Sequence, residues 1–93
     1  MTNKYESALI FSVANGEEAT KALVEKFNAL IAENGVVENV DDWGKRRLAY
    51  LIDDEAEGNY VFTTFESAPE FPAELERVAG ITEGVLRVMT TRK

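Results

Sequence analysis

Lys45, Arg46 and Arg47 stand consecutively in a chain whose formal net charge is −7. A run of bases is the side-chain pattern that meets phosphate, since each base can replace a counterion on a nucleic-acid backbone. Arg87 and the pair Arg92-Lys93 make a second basic spot, while Lys4, Lys21 and Lys26 are the only bases before residue 43. A uniformly acidic surface repels phosphate, but an acidic body with two basic spots is a different object. In an extended strand Lys45 and Arg47 point to one side and Arg46 to the other, so the block cannot form a single phosphate-facing stripe. Charge alone therefore leaves two readings level: a phosphate contact, or the charged protection of an edge strand. Asp41 and Asp42 lie close by, within reach of an internal pairing with Arg46 or Arg47. Opposite charges side by side also suit a polar protein–protein contact.

Other chemistry finds little support. Asp41-Asp42 and Asp53-Asp54-Glu55 are carboxylate clusters of the kind that bind hard cations or move protons. They lack EF-hand spacing, and the chain contains neither histidine nor cysteine to complete a metal or nucleophile site. They read as solvated acidic turns. Ser7, Ser12 and Ser67 have no neighbouring base and no nucleophile-elbow glycines. Gly80 and Gly84 flank a single short turn and do not make a phosphate-cradling loop. The expectation is a protein that is not an enzyme, with no metal and no cofactor. The aromatics of Tyr60-Val61-Phe62-Thr63-Thr64-Phe65 fall short of a base-stacking platform. Phe62 has Thr64, not an aromatic, two residues on, and both Phe62 and Phe65 are expected in the core.

The elements that position these residues follow from periodicity. Lys4–Val13 reads as a strand, with Tyr5, Leu9, Phe11 and Val13 on one face and Ala8 and Ile10 on the other; two apolar faces suit a central strand. Asn15 is placed to cap a helix, with Glu17 and Glu18 at its positive end. Ala19, Leu23, Phe27, Leu30 and Ile31 form its buried stripe, and Gly35 is expected to end it in the left-handed conformation. Val36–Val40 and Arg47–Ile52 read as one strand interrupted by a bulge at Trp43-Gly44. Residues 53–59 are expected to turn and Tyr60–Glu66 to return antiparallel. A second helix opens at Ser67–Pro72, faces Phe71, Leu75 and Val78 inward and stops at Gly80. Val85–Thr91 is the last strand.

The order β-α-β-β-α-β is the split βαβ, or ferredoxin-like, α+β arrangement: a four-stranded antiparallel sheet with two helices on one face. Residues 1–93 are read as one domain. No apolar run approaches the roughly 18–20 residues that cross a bilayer, and the N-terminal residues lack a signal-peptide layout. A cytoplasmic location, without membrane contact, is the expectation. The fold hosts many functions, so function must come from the sites.

The segment Trp43-Gly44-Lys45-Arg46-Arg47-Leu48-Ala49-Tyr50-Leu51-Ile52 resembles the signature of the bacterial small-subunit ribosomal protein S-six (S6) family: a glycine, a basic run, then Leu-Ala-Tyr-x-Ile. Lys4-Tyr5-Glu6 is similar to that family's opening, and Val85-Leu86-Arg87-Val88-Met89 to its last strand. Many members extend beyond that strand, whereas this chain stops at Lys93. The resemblance implies a structural protein of the small ribosomal subunit that binds 16S ribosomal RNA together with ribosomal protein S-eighteen in the central domain. An acidic chain suits that role if a basic partner supplies most phosphate contacts. The implied RNA-binding residues are Lys45, Arg46, Arg47, Arg87, Arg92 and Lys93. The implied partner interface is an acidic, apolar-flanked edge formed by Val37, Asp41, Asp42, Arg46 and Leu48. Two other classes share the fold. One is an oligomerising domain that holds a small molecule between subunits. The other is an acylphosphatase-type enzyme, whose phosphate loop would fall at the acidic segment Ala14-Asn15-Gly16-Glu17-Glu18.

Overall fold

The computed structural model describes residues 2–52 and 55–93. The chain runs β1 (Asn3–Ser12), α1 (Glu17–Asn34), β2 (Gly35–Ile52), β3 (Glu55–Ser67), α2 (Phe71–Ile81) and β4 (Val85–Arg92). All strand pairings are antiparallel, in the order β2-β3-β1-β4. The expected ferredoxin-like arrangement is borne out: β1 is central, and β2 and β4 form the two edges.

Alternation along β1 decides where the core lies. Tyr5, Leu9 and Phe11 are buried on one face, together with Val61 and Phe65 of β3. Phe27 and Ile31 of α1 and Phe71, Leu75 and Ala79 of α2 close over that same face. Burying an aromatic or branched side chain of this size contributes about 1.5–3 kcal/mol, so this layer holds the two helices on the sheet. The opposite face, which carries no helix among the described residues, is the open face.

Several local expectations are corrected. The α1 N-cap is Gly16, not Asn15, and among the described residues no side chain caps the helix. Thr20 takes the inward position assigned to Ala19; its hydroxyl donates to the carbonyl of Ser12 and so ties the first helical turn to the end of β1. Gly35 is extended, with φ −174°, and begins β2. Glycine is required there by proximity: a Cβ would lie 2.2 Å from the Glu66 carbonyl oxygen. Gly80 does not stop α2, which continues to Ile81 and closes with Thr82 donating its backbone N–H to Ala79. The expected turn over residues 53–59 is shorter. Asp53 and Asp54 lie outside the described residues, while Glu55–Asn59 already belong to β3, paired with β2 through Arg46↔Gly58 and Arg47↔Glu57. Ladder hydrogen bonds thus extend a stretch whose composition reads as a turn. Phe65 is in the core, but Phe62 faces the open side, because neighbouring strand positions alternate and Val61 has taken the inward one.

Candidate functional site

β2 is an edge strand, and its ladder with β3 shifts register at three places: between Val37 and Asn39, between Asp42 and Gly44, and between Arg47 and Ile52. The middle break divides the strand into segments of different chemistry. The first carries Val36, Val37, Val40 and the exposed acids Glu38, Asp41 and Asp42. Val37 is half-buried against the helix-side core, opposite Phe65.

Asp41 and Asp42 do not pair with the arginines. Asp41 Oδ2 accepts from Trp43 Nε1 at 2.8 Å. Asp42 Oδ1 accepts from the Gly44 N–H at 2.8 Å and from Asn59 Nδ2 at 3.2 Å. A short aspartate side chain reaches a donor two residues on with little entropic cost, whereas a salt bridge to Arg46 or Arg47 must order a long side chain. The second bond closes the bulge foreseen at Trp43-Gly44, where Gly44 takes φ 72°, a conformation that costs side-chain-bearing residues steric strain. The bulge sets Trp43 on the open face, half exposed, with its ring 4.7 Å from that of Phe62. Arg46 lies over the same indole, 6.0 Å from its centroid, at the outer limit of cation–π contact.

The basic block alternates as expected. Lys45 turns toward α1 and borders a groove with Thr20 and Val24; its Nζ lies 3.9 Å from Glu57. Arg46 turns to the open face beside Trp43. Both arginines are exposed, and among the described residues no carboxylate forms a salt bridge with either. Their charge is therefore available to an outside anion.

Beyond Arg47 the strand leaves its ladder: the next paired residue is Ile52, opposite Glu55. Leu48 is buried, and with Ile10, Tyr50, Tyr60, Phe62 and Met89 it borders an apolar hollow of about 330 Å³ on the open face. Arg87, on β4, stands at this hollow and donates from Nη1 to Tyr50 Oη at 2.5 Å. The structure thus brings Arg87 to the same side as the distal part of β2. It does not bring Arg92 and Lys93 there. Arg92 pairs in register with Tyr5, near the start of β1, whereas Arg87 pairs with Ile10; five strand residues separate the two bases by about 17 Å. Arg92 donates to Asn3 Oδ1 at 3.1 Å and Lys93 lies 3.8 Å from Glu6. Nor do the predicted partner residues share one face, since Val37 packs toward the helices and Leu48 lies on the open side.

Trp43 and Tyr50 are members of this surface that charge-based reading passed over as site residues. For Trp43 a signal existed: a large aromatic between two aspartates and a bulge glycine is poorly placed for a core. Tyr50 stands in the Leu-Ala-Tyr signature, but its partner lies on the far edge strand, where no local pattern points.

A family model described as ribosomal protein S6 matches residues 4–92. The chain belongs to the ribosomal protein S6 family. It is 54% identical to the small ribosomal subunit protein bS6 of Clostridium novyi over 86 residues, 91% of this chain and 90% of that one. With the bS6 of Thermoanaerobacter pseudethanolicus the identity is 51% over 89 residues, covering 95% and 94%. The crystal structure of 30S ribosomal protein S6 from Thermotoga maritima matches the fold with a TM-score of 0.92 at 30% identity, covering all of this chain and 89% of that one. An uncharacterised Thermotoga maritima protein shares the fold at a TM-score of 0.65 and 15% identity. The S6 family is one of structural ribosomal proteins and not of enzymes, so the expectation that the chain does no catalysis holds. The resemblance read from the Trp43–Ile52 segment is the family found.

Proposed function

We propose that this chain is a structural component of the cytoplasmic small ribosomal subunit, and that it binds 16S ribosomal RNA in the central domain jointly with ribosomal protein S-eighteen. The observation that carries the joint-binding reading is the division of edge strand β2. Its first segment is acidic and exposes apolar groups: Val36, Val40 and Trp43 are among the exposed large hydrophobics, beside Glu38, Asp41 and Asp42. Such a strip fits a basic protein, with Trp43 as a preorganised aromatic anchor. The second segment offers Arg46 and Arg47 free of carboxylates, which fits phosphate. Arg46, at the junction, touches the partner strip through Trp43.

In this reading Val37, Asp41, Asp42, Arg46 and Leu48 serve the partner side, with Trp43 added. Lys45, Arg46, Arg47 and Arg87 form the main RNA group, and Arg92 and Lys93 a separate contact at the far end of β4. The helices carry six glutamates against three bases, so α1 and α2 face away from RNA. The test is a titration of a central-domain RNA junction with the chain, with and without S-eighteen, at several salt concentrations. Tight binding only in the partner's presence, with a small salt slope attributable to this chain, is expected. An Arg46→Glu/Arg47→Glu variant that bound both RNA and S-eighteen like the parent would sink the assignment. A stable homo-oligomer indifferent to S-eighteen in size-exclusion chromatography would favour the oligomerising alternative.

A further inference from the structure

We infer that Tyr50 is a positioning residue for RNA binding: its hydroxyl draws the Arg87 guanidinium across the open face and joins it to the basic segment of β2. The inference rests on the RNA role proposed above for Arg87.

The topology sets the problem that Tyr50 solves. Arg46, the base of the run that turns to the open face, and Arg87 belong to the two opposite edge strands, β2 and β4. Three inter-strand steps separate those edges, about 14 Å of backbone spacing. Arginine side chains standing perpendicular to such a sheet would make two separate phosphate contacts. The break in the ladder after Arg47 changes this. Four residues of β2, from Leu48 to Leu51, lie between its pairings with Glu57 and Glu55, positions only two apart on β3. The excess chain allows the segment to leave the ladder. Leu48, buried where the hollow is also bordered by Ile10 and Phe62, anchors it. Tyr50 then reaches the bond with Arg87 Nη1, linking residues 37 positions apart in sequence.

The chemistry of that bond suits a cation held ready for an anion. A tyrosine hydroxyl accepts from guanidinium without neutralising it, unlike the glutamates beside Lys45 and Lys93. One of the five guanidinium N–H groups is engaged, and the remaining donors stay free for phosphate. The hollow beneath is bordered by no carboxylate that would neutralise the guanidinium. Arg87 is therefore fixed at one end only, and a fixed arginine loses less freedom on binding than one that samples all its rotamers.

Four proteins test this in complex with S-eighteen: parent, Tyr50→Phe, Arg87→Ala and the double variant, titrated against the central-domain RNA over a range of salt. Tyr50→Phe keeps the ring in the hollow and deletes only the hydroxyl. It is expected to weaken RNA binding about fivefold, the cost of ordering one long side chain at the moment of binding. Arg87→Ala is expected to weaken it at least as much and to lower the salt slope by about one phosphate contact. The double variant should match Arg87→Ala alone, because the hydroxyl acts only through the guanidinium. In the free chain, the Arg87 Nε–H resonance should shift on Tyr50→Phe while the melting temperature stays put. If Arg87→Ala binds RNA like the parent, the RNA role of Arg87 fails and the inference fails with it. If Arg87→Ala weakens binding but Tyr50→Phe does not, or the two effects simply add, the positioning role alone is overturned. Loss of S-eighteen affinity in Tyr50→Phe would move the residue to the protein interface and equally overturn it.

Discussion

Replacing Gly35 by alanine separates two accounts of why glycine stands at the junction of α1 and β2. A glycine after a helix is ordinarily explained by a left-handed cap, and sequence alone suggests that here. The structure assigns it a different task. Gly35 is extended, with φ −174°, a conformation that any residue adopts, and it pairs with Ser67 at the end of β3. A Cβ at this position would sit 2.2 Å from the Glu66 carbonyl oxygen and 3.0 Å from Ser67 Cβ, where real Cβ contacts essentially never fall below 3.0 Å. The nearer obstacle is backbone held in a ladder on both sides, so relief requires β2 to peel from β3 or α1 to tilt. Overpacking of this kind costs about 1–3 kcal/mol, and a rigid backbone neighbour puts Gly35→Ala near the top, about 3 kcal/mol. For a domain of this size that lowers the melting temperature by about 12–24 °C, and with an m-value of about 2 kcal/mol/M it moves the urea midpoint by about 1.5 M. Gly35→Asn discriminates further. Asparagine tolerates the left-handed region, so under the cap account it should cost less than alanine. Under the close-approach account it costs at least as much, since its Cβ meets the same oxygen. Urea unfolding followed by circular dichroism reads both. A loss below about 1 kcal/mol for alanine, or an asparagine variant clearly more stable than the alanine one, refutes the reasoning.

The two faces of the sheet should answer truncation differently. Phe27→Ala empties the fully buried core and should cost about 3–5 kcal/mol in denaturant unfolding, whereas Trp43→Ala, on the half-exposed bulge, should cost well under half of that while weakening S-eighteen binding by about 2 kcal/mol in calorimetry. Equal stability losses would contradict the division into core and open face. Thr63, Ser7 and Thr90 stand in one row across β3, β1 and β4, each with a buried hydroxyl that finds no partner among the described residues; Thr63→Val should raise unfolding stability by about 1 kcal/mol, and a destabilised variant would show that the hydroxyl is satisfied in solution. Glu74 on α2 is held below the usual carboxylate range by its hydrogen bond to Arg77, which is raised in return. The folded-state shift is downward, so its contribution to stability is present above the unfolded-state value and is lost as pH falls through the folded one. Both side chains are exposed and screened, so the change is read by NMR titration: Arg77→Ala should move the Glu74 midpoint upward, and an unmoved midpoint would deny the pairing.

Element order was legible because it rests on periodicity, and periodicity reports burial directly. Leu9 and Phe11 announce a strand, and Phe27 and Ile31 a helix, whatever they pack against. The misread places all depend on non-local contact. Gly35 looks like a cap until the Glu66 carbonyl is known to lie above it. Gly80 looks like a stop until helix–sheet packing carries α2 one residue past it. Glu55–Asn59 look like a turn until Arg46 and Arg47 are seen to pair with Gly58 and Glu57. The candidate site divides the same way. Alternation placed Lys45 and Arg46 on opposite sides without any coordinates. That Asp41 and Asp42 would spend their oxygens on Trp43, Gly44 and Asn59 depended on the geometry of the bulge. The meeting of Tyr50 with Arg87 spans the whole sheet, and no local pattern encodes it.

The central place of β1 has a consequence for the order in which the chain can become a protein. The first strand to be made lies between the two strands made later: Tyr5 pairs with Phe65 on one side and with Arg92 on the other. Its second partner, β4, is translated only about 80 residues later, about 4–16 s at ordinary elongation rates. Through that interval Leu9, Ile10 and Phe11 are synthesised but cannot be covered on both edges. α1 and the β2–β3 hairpin can assemble early, and β4 closes the sheet last. Acquisition of the native state is thus gated by the final strand, and a nascent chain stalled before it presents an open central strand to chaperones and proteases, marking itself as unfinished.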